Sequence, residues 1–339
     1  MSKIRPFSRN CKYGLCDCMD MRTLADVGEK AAVAAILGRL RGSTAVGPGD
    51  DAAAIEVAGR YVVASTDIVS RLAHMPRGMS PRDVGWFVAA VNLSDIAAMG
   101  ARPLGLLLSF CLPRNYLLED LEEMMEGAQE CALSVGTEIL GGDTKEGKEL
   151  VIAGTALGEV EKEHILLRRG AREGDLLAVT GTMGLASAGY AAVSNGLDAP
   201  DAIDALIRPK PRIREGMAIA SSGSATSAMD VTDGLAYSVH ELSRHSGVHF
   251  AVDWDAIPVR SEVHEIAKAV DGSVEDMVLH YGGDYELLFT IRPDMLDAAR
   301  DALNDGFTVI GRAGGQENVL IKGGKVSYLE PHGYEHFKG

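Results

Sequence analysis

The stretch that decides the fold of this sequence covers residues 80–100 and reads SPRDVGWFVAAVNLSDIAAMG. Ser80 before Pro81 is typical of a helix N-cap with proline at the first helical position, and Asp83 places an acid in the first turn. The apolar residues that recur here at helical spacing are Val84, Phe87, Val88 and Val91. We therefore expect a helix that carries these four residues on one face and ends around Gly100.

Strand and helix patterns follow one another irregularly on both sides of this helix. In the first half, a helix is predicted from Asp26 to near Gly42, and the other elements are a hairpin at 53–57 and 61–65, a strand at 104–112, a helix at 119–135, and strands at 138–140 and 149–160. In the second half, strands are predicted at 176–180, 248–252, 285–291, 308–310 and 319–321, with helices at 185–193, 262–269 and 295–302 and one after Arg212. This mixed order favours α+β domains over a doubly wound parallel sheet.

The chain has 339 residues, which is enough for two compact domains of ordinary size. Residues 1–23 precede the helical patterns and are predicted to be a loose extension. We place the domain boundary near residue 161, so that an N-terminal domain covers 24–160 and a C-terminal domain covers 161–339.

The charge balance is strongly acidic, with 48 Asp and Glu against 33 Lys and Arg and a formal net charge of -15. This excess disfavours nucleic acid or an anionic membrane surface as a partner. It suits a cation as a partner, although an acidic surface also simply favours solubility.

Location is predicted from apolar runs and cysteines. No apolar run approaches the about 18 residues that cross a bilayer, and the N-terminus has no secretory hydrophobic region, so we expect a soluble cytoplasmic protein. The five cysteines fit a reducing compartment better than a disulfide framework. Cys11, Cys16 and Cys18 form a C-x4-C-x-C cluster that does not match the usual zinc spacings.

Five short motifs place aspartates beside small or hydroxyl residues. They are Gly49-Asp50-Asp51, Ser65-Thr66-Asp67, Asn92-Leu93-Ser94-Asp95, Gly141-Gly142-Asp143-Thr144 and Asp230-Val231-Thr232-Asp233-Gly234. Each alone is explained by an Asx turn, a strand end or a helix cap. Together they supply the carboxylate and hydroxyl oxygens that Mg2+ prefers. Two carboxylates about 4 Å apart repel by about 4 kcal/mol at an effective dielectric constant of about 20, so such a cluster should take up protons or bind cations.

Mg2+ is usually bound by a few carboxylates together with substrate phosphates, so these acids imply a nucleotide or polyphosphate ligand. The segment from Gly142 to Lys148 superficially matches the phosphate-binding pattern G-x-x-x-x-G-K. However, Glu149 replaces the Ser or Thr that would hold the metal, and no convincing helix follows. Gly181-Thr182-Met183-Gly184 has two possible explanations. Its backbone amides could bind a phosphate at a helix start, or it could form the turn of a close helix–strand packing.

The sequence indicates no covalent nucleophile. It contains neither a Gly-x-Ser-x-Gly elbow nor a His-Glu-x-x-His motif. His240, His245 and His249 surround a predicted helix end and are best explained as surface or hydrogen-bonded histidines. A metal-assisted transfer without a protein nucleophile is the chemistry that remains.

In their order, the motifs resemble those of the thiamine-monophosphate kinases in the AIR synthase-like superfamily. The residues that carry the resemblance are Gly47-Pro48-Gly49-Asp50-Asp51-Ala52, Ser65-Thr66-Asp67, the stretch from Val91 to Gly100, Gly141-Gly142-Asp143-Thr144, the stretch from Asp230 to Leu235, Asp284-Tyr285-Glu286-Leu287 and Gly333-Tyr334-Glu335-His336-Phe337. The resemblance implies two AIR synthase-like α/β sandwich domains and a homodimer formed through the N-terminal domains. The implied activity is ATP-dependent phosphorylation of thiamine phosphate to thiamine diphosphate by direct transfer, in thiamine diphosphate biosynthesis.

The resemblance also assigns roles by motif. The implied Mg2+ ligands are Asp51, Ser65, Thr66, Asp67, Asp95, Asp143, Asp230 and Asp233, with Asp50 as a lesser candidate. The implied nucleotide contacts are Gly142, Asp143, Arg168 and Thr232. The positions implied to meet thiamine phosphate are His74, Gly283, Asp284 and Tyr334.

One position departs from the family pattern. The family often has Gly-Gly-Glu-Asp-Tyr-Glu-Leu at the substrate pocket, and this sequence has Gly283 where that glutamate would fall. The carboxylate for the pyrimidine side of the substrate is therefore missing, unless Asp284 or Glu286 replaces it.

Two other functions stay open at this point. One is another ATP-using member of the superfamily, similar to selenophosphate synthetase or to a hydrogenase-maturation protein. The sequence lacks the N-terminal Cys-Gly segment expected of the former and the C-terminal cysteine tail expected of the latter. The other is a catalytically silent nucleotide-binding protein, against which the complete set of acidic motifs argues.

Overall fold

The computed structural model describes residues 23–337 except 41 and 43. The three cysteines of the C-x4-C-x-C cluster lie outside these residues, as does most of the predicted N-terminal extension. The chain divides into two compact units. One combines residues up to Leu40 with those from Glu335 onward, and the other covers 41–334.

In the first unit, helix α1 (Leu24–Leu37) contacts the C-terminal segment. The backbone nitrogen of Glu29 donates to the carbonyl oxygen of His336 at 3.3 Å, and the Glu29 carboxylate accepts from the His336 nitrogen at 3.1 Å. The prediction that this helix stops near Gly42 was wrong, because it ends at Leu37 with Gly38 as its C-cap.

The second unit begins with a five-stranded sheet in the order β1-β2-β5-β3-β4. Its strands are β1 (Ala53–Val57), β2 (Arg60–Ser70), β3 (Arg102–Leu112), β4 (Ile139–Glu146) and β5 (Val151–Glu161), and its helices are α2 (Arg71–His74), α3 (Pro81–Ala98) and α4 (Leu118–Ser134). Strands β3 and β4 are parallel and the other neighbours are antiparallel.

A seven-stranded sheet follows, in the order β12-β11-β8-β10-β6-β9-β7. Its strands are β6 (Leu176–Thr180), β7 (Ala225–Asp230), β8 (Phe250–Asp253), β9 (Leu287–Ile291), β10 (Phe307–Ala313), β11 (Val319–Lys322) and β12 (Lys325–Tyr328). Its helices are α5 (Leu185–Asn195), α6 (Pro200–Ile207), α7 (Ile213–Ser222), α8 (Leu235–Ser246), α9 (Ser261–Ala269), α10 (Val274–Leu279) and α11 (Leu296–Leu303). The α+β class is therefore confirmed.

Helix α3 forms as its sequence predicts and occupies the centre of this unit. The Ser80 hydroxyl accepts a hydrogen bond from the Asp83 nitrogen at 3.2 Å, and Pro81 fills the first helical position. The helix packs against α4, β2 and β5 in the first half and against α7 and β7 in the second. Its burial on all these sides explains why the apolar residues between 84 and 98 are almost all inaccessible.

Two glycines bring α3 and α4 into backbone contact. A Cβ on Gly85 would lie 1.8 Å from the carbonyl oxygen of Met124, and a Cβ on Gly127 would lie 1.8 Å from that of Arg82. Since no side chain fits in this space, the close approach of the helices depends on glycine at both positions.

The predicted strand at 138–140 was too short. Strand β4 continues to Glu146, so Gly141, Gly142 and Asp143 lie within a strand and not in a turn. The sequence also gave no prediction for α6, β7, α10 or β12. In the described part of the chain, no helix is both long and apolar enough to cross a bilayer.

Candidate active site

Three of the predicted aspartates converge where the two sheets meet α3. Asp51 precedes β1, Asp95 lies in the last turn of α3, and Asp230 ends β7. One carboxylate oxygen from each lies within 4.8 Å of the others. The chain thus brings together acids that are up to 179 positions apart in sequence, and we call these three residues the acidic cluster.

The side chain of Asp51 is fully buried, at 0% exposure. Its Oδ1 accepts hydrogen bonds from Arg168, from Nε at 3.0 Å and from Nη2 at 2.6 Å. Its Oδ2 is buried and has no hydrogen-bond partner among the described residues. A buried carboxylate oxygen without a partner is costly, so Oδ2 has a ligand position to fill.

Hydroxyl groups fix the other two carboxylates. Ser65 donates to Oδ2 of Asp95, and its Oγ also lies 3.4 Å from the carbonyl oxygen of Asp51. Ser94 donates to Oδ2 of Asp230. The serines hold the carboxylates in place and add oxygen donors at the edge of the cluster.

Asp67 lies next to the cluster on β2. Its backbone nitrogen donates to Oδ1 of Asn92 at 3.1 Å. Burial raises the pKa of the Asp67 carboxyl, and a hydrogen bond with Asp95 opposes that rise.

Burial, together with neighbouring carboxylates, raises the pKa values of the carboxyl groups in and beside the cluster. Burial, and then the charges of Asp67, Asp230 and Asp51, raise the pKa of Asp95 well above its ordinary value. Burial and the Asp51 charge raise the pKa of Asp230 to about 7, and the same two causes raise that of Asp50 to about 6. These carboxyl groups therefore need either protons or cations.

Arg168 is the only predicted nucleotide contact that touches the acidic cluster through a hydrogen bond between described side chains. Burial opposes its charged form, but the charges of Asp51, Asp230 and Glu241 outweigh burial and raise the pKa of the guanidinium. Arg168 therefore remains a fixed positive charge beside the carboxylates.

Thr66 and Asp143 point away from the cluster. The Thr66 hydroxyl donates to the carbonyl oxygen of Gly154 at 2.7 Å, on the outer face of the five-stranded sheet. Asp143 lies on the same outer face, where Lys145 donates to its carboxylate at 3.2 Å. The strands that carry Thr66 and Asp143 are three strand spacings apart in the sheet, which is about 14 Å. One chain therefore does not place both side chains around one ion.

Gly142 and Thr232 have structural roles that the sequence did not show. A Cβ on Gly142 would lie 1.6 Å from the carbonyl oxygen of Leu108, so strand packing alone requires glycine. The carbonyl oxygen of Thr232 accepts a hydrogen bond from the Gly283 nitrogen at 2.8 Å. This bond joins the loop after β7 to the segment that precedes β9.

The remaining substrate positions lie around that loop, except for one. The carbonyl oxygen of Asp233 accepts from the Tyr334 nitrogen at 3.0 Å, which brings Tyr334 to the same place. His74 instead ends the short helix α2, where its Nδ1 accepts from the Ser70 nitrogen at 3.2 Å.

Asp284 and Glu286 both have partners within the fold. Asp284 accepts from the backbone nitrogens of Gly184 at 2.9 Å and Ala186 at 3.4 Å, so it caps α5. Burial raises the pKa of Asp284 to about 7. Glu286 accepts from Thr180 Oγ1 at 2.6 Å and pairs with Arg212. Both carboxylates are therefore engaged within the fold. Neither is available to replace the glutamate that the family pattern has at the position of Gly283.

Two residues near the cluster were missed by the sequence analysis. Tyr285 has a φ of 50°, which is unusual for a residue with a side chain, and it packs edge-on against Phe87. Burial and the charges of nearby aspartates raise the pKa of its hydroxyl well above the ordinary value. Glu241 on α8 pairs with Arg168 across 3.5 Å. The positive φ is invisible in sequence, and so is the contact of Glu241 with a residue 73 positions away.

Comparison with known proteins identifies the family of this chain. Residues 49–160 match the family model of the AIR synthase related protein N-terminal domain, and residues 172–322 match the model of the C-terminal domain. The chain is 35% identical to the thiamine-monophosphate kinase of Pyrococcus horikoshii over 86% of this chain and 91% of that one. It is also 35% identical to that of Methanopyrus kandleri, over 80% and 85% of the two chains.

A solved structure is similar over nearly the whole length. The structure of AaThiL complexed with AMPPCP and TMP covers 94% of this chain and 99% of its own, with a TM-score of 0.83 and 27% sequence identity.

Proposed function

The chain belongs to the thiamine-monophosphate kinase family of AIR synthase related proteins, and on that premise we propose that it transfers a phosphoryl group from ATP to thiamine phosphate at the acidic cluster. The product is thiamine diphosphate. The identity to these kinases over most of the chain favours this function over a selenophosphate synthetase-like, hydrogenase-maturation-like or silent nucleotide-binding protein.

The observation that carries the proposal is the convergence of Asp51, Asp95 and Asp230. Their oxygens are the hard donors that Mg2+ prefers, and Oδ2 of Asp51 is buried with no hydrogen-bond partner among the residues that the structure describes. Burial first, and neighbouring carboxylates second, raise the pKa of Asp95 and of Asp230, so bound cations would stabilise the ionised forms of both groups. The residues therefore fit Mg2+, with Asp67 and Ser65 as further ligands.

Within the reaction, the chain's own residues bind and orient the reactants. The carboxylates of the cluster hold the cations, and Ser65 and Ser94 fix the orientation of two of those carboxylates. Arg168 offers a positive charge to the phosphates of the nucleotide. When bound, the cations neutralise the charge that develops on the transferring phosphoryl group.

The acceptor needs little help from a protein base. The oxygen of a phosphate monoester is already anionic near neutral pH, since its second pKa is about 6. A site built of metal ligands without a nucleophilic side chain is consistent with direct transfer. Charge neutralisation and alignment of ATP with the acceptor are then the main tasks of the protein.

We also propose how the remaining residues contribute. Gly142, Thr232 and Asp143 would contact the nucleotide, and Asp233 would hold a further cation. The pocket for thiamine phosphate would be bordered by His74, Gly283, Asp284 and Tyr334. The hydrogen bonds that join Gly283 and Tyr334 to the loop after β7 support this location for the last three.

A homodimer through the five-stranded sheet is part of this proposal. The outer face of the sheet exposes Ile55, Val57, Ile68 and Leu107, with exposed fractions between 39% and 63%. Contact with the same face of a second copy would cover these side chains. A two-fold contact would also bring Asp143 of one chain toward Thr66 of the other, which a single chain keeps about 14 Å apart.

We propose that the protein works in the cytoplasm. Cys111 and Cys131 are free thiols, and burial raises the pKa of the Cys131 thiol, so that it stays protonated and inert. Free thiols suit a reducing compartment.

The test is a product assay with the purified protein. The protein is incubated with ATP, Mg2+ and thiamine phosphate, and ADP and thiamine diphosphate are quantified by chromatography across a Mg2+ titration. We expect equal amounts of the two products, and none when thiamine replaces thiamine phosphate. If the nucleotide binds but thiamine diphosphate is absent at every Mg2+ concentration, the function is wrong.

A further inference from the structure

Glu241 on helix α8 is held rigidly on one side. Its Oε1 accepts from Nε of Arg244 at 3.1 Å, and its Oε2 accepts from Nη2 of the same residue at 2.7 Å. The Glu241 side chain is only 11% exposed. Two charge-assisted hydrogen bonds in a nearly dry position fix the carboxylate.

On its other side, Glu241 faces Arg168. Nη1 of Arg168 lies 3.5 Å from Oε2 of Glu241, while Nε and Nη2 donate to Asp51. The backbone of Arg168 is also fixed, because its nitrogen donates to Asp50 and its carbonyl oxygen accepts from Ser246. One guanidinium is therefore shared between two carboxylates, and only its side chain has freedom to shift between them.

Asp51 is the point at which this sharing matters. Its Oδ1 is occupied by Arg168, and its Oδ2 is buried and has no hydrogen-bond partner in the described part of the chain. A cation bound to the cluster and the guanidinium of Arg168 both draw on the negative charge of Asp51, so they compete. The stronger the pair between Arg168 and Asp51, the weaker the affinity of the cluster for a cation.

We propose that Glu241 is a positioning residue that draws the guanidinium of Arg168 away from Asp51 and so keeps Asp51 available to Mg2+. The proposal rests on the proposed function, because it takes the acidic cluster as the magnesium site. Glu241 touches neither the nucleotide nor the cation. It acts only through Arg168, and this restriction gives the proposal a sharp test.

Three variants have distinct expected effects on Mg2+ binding. Glu241→Gln leaves Asp51 as the main carboxylate partner of Arg168, so the Mg2+ concentration for half-saturation rises about three- to tenfold. Arg168→Met removes the competitor, so the same concentration falls. The double variant behaves like Arg168→Met, because Glu241 has no effect once Arg168 is absent.

The experiment uses the full chain with Mg2+ alone, without nucleotide or thiamine phosphate. Metal binding is measured by isothermal titration calorimetry and by the rise in Tm with Mg2+ concentration, which reports binding whatever the Tm of the metal-free variant. Glu241→Asp retains the charge and should recover most of the wild-type affinity. Glu130→Gln is the matched control, since Glu130 also bridges two arginines, Arg82 and Arg208, in a separate ion-pair network.

Two outcomes would overturn the inference. One is an unchanged Mg2+ affinity in Glu241→Gln, which would make Glu241 a purely structural ion-pair partner. The other is a double variant that binds Mg2+ more weakly than Arg168→Met, which would mean that Glu241 acts through its own charge. Both results come from Mg2+ binding and do not depend on turnover. A failure of the proposed kinase function is therefore distinguishable from a failure of the inference about Glu241.

Discussion

Ser94 on helix α3 donates its hydroxyl hydrogen to Oδ2 of Asp230 at the end of strand β7. Both residues are buried, at 0% and 2% exposure, and they are 136 positions apart. The bond therefore joins the central helix of the first half to the seven-stranded sheet, directly beside the acidic cluster.

Removal of this bond should weaken cation binding in a pH-dependent way. The Ser94 hydroxyl lowers the pKa of Asp230, which burial raises to about 7, so in Ser94→Ala the pKa rises further. We expect weaker Mg2+ binding, with a larger loss at about pH 6.5 than at about pH 8.5, and a stability loss of about 1 kcal/mol. Calorimetric Mg2+ titration at the two pH values checks this. Ser227→Ala, a buried serine on the same strand, should bind Mg2+ as the wild type does.

The metal-free protein should lose stability as pH rises. The pKa values of Asp50 and Asp230 are about 6 and about 7 in the folded state, against 3.8 as the ordinary value. The folded state therefore retains protons that the unfolded state has released, and its stability falls between about pH 4 and pH 7. Urea unfolding in a chelator at a series of pH values measures this, and saturating Mg2+ should reverse the trend. A stability that increases with pH over this range would contradict the arrangement of charges.

Asp95→Asn should abolish turnover without unfolding the protein. The substitution removes a cation ligand, with an expected loss of at least about 100-fold in kcat. It also replaces a buried carboxyl group that lies against Asp51 and Asp230 with a neutral amide, so the metal-free variant should be at least as stable as the wild type. Turnover and Tm are measured together. Asp175→Asn is the control, because it alters a buried acid outside the cluster, and wild-type turnover in Asp95→Asn would refute the metal role.

Asp143→Asn should also be inactive, but for a reason that involves the second copy. The Asp143 side chain lies on the outer sheet face, so the cluster should retain its affinity for Mg2+ in this variant. If the site takes Asp143 from the partner subunit, chains of Asp143→Asn and of Asp95→Asn should complement each other. In a random mixture half of the dimers are mixed and one of two sites in each is complete, so about a quarter of wild-type activity should return. A mixture that exchanges subunits but stays inactive would exclude the shared site.

A glutamate at position 283 should have enough space for its side chain, but the backbone angle of Gly283 should make it strained. Its φ of 94° is unfavourable for any side chain, whereas its Cβ would meet only the Cβ of Ala186 at 3.6 Å. Gly283→Ala and Gly283→Glu should therefore lose a similar stability, about 1–2 kcal/mol. Any difference between them in KM for thiamine phosphate reports the carboxylate alone. A fall in KM in the glutamate variant only would place the pyrimidine of the substrate beside this position.

The sequence carried enough information for the local elements and for the residue types of the site. The N-cap at Ser80 and the apolar face of α3 follow from short-range patterns, which is why they were predicted correctly, whereas the burial of the other faces was not predicted. The alternation of a strand also implies that Ser65 and Asp67 share one face of β2 and that Thr66 lies on the other. The resemblance had assigned all three as ligands, and only the first two lie beside the cluster.

The contacts that assemble the site were beyond sequence reasoning. Whether Asp230 meets Ser94 or Asp51 depends on how two sheets pack on α3, and no local pattern encodes that packing. The same is true of Glu241, which looks like an ordinary surface acid on an amphipathic helix. For Asp284, the family resemblance implies a contact with the substrate. In the structure, its carboxylate caps α5, a contact that the sequence did not indicate.

The glycine contact between α3 and α4 has a consequence for reading mutational scans of this protein. Gly85 precedes Asp95 by ten residues, or about 15 Å along the helix, yet any replacement at Gly85 or Gly127 would collide with a backbone carbonyl. A saturation scan scored by growth would therefore rank these two positions beside the catalytic aspartates. Intolerance to substitution would therefore mark residues of the helix contact as well as residues of the active site. A separate measurement of protein abundance would be needed to distinguish the two groups.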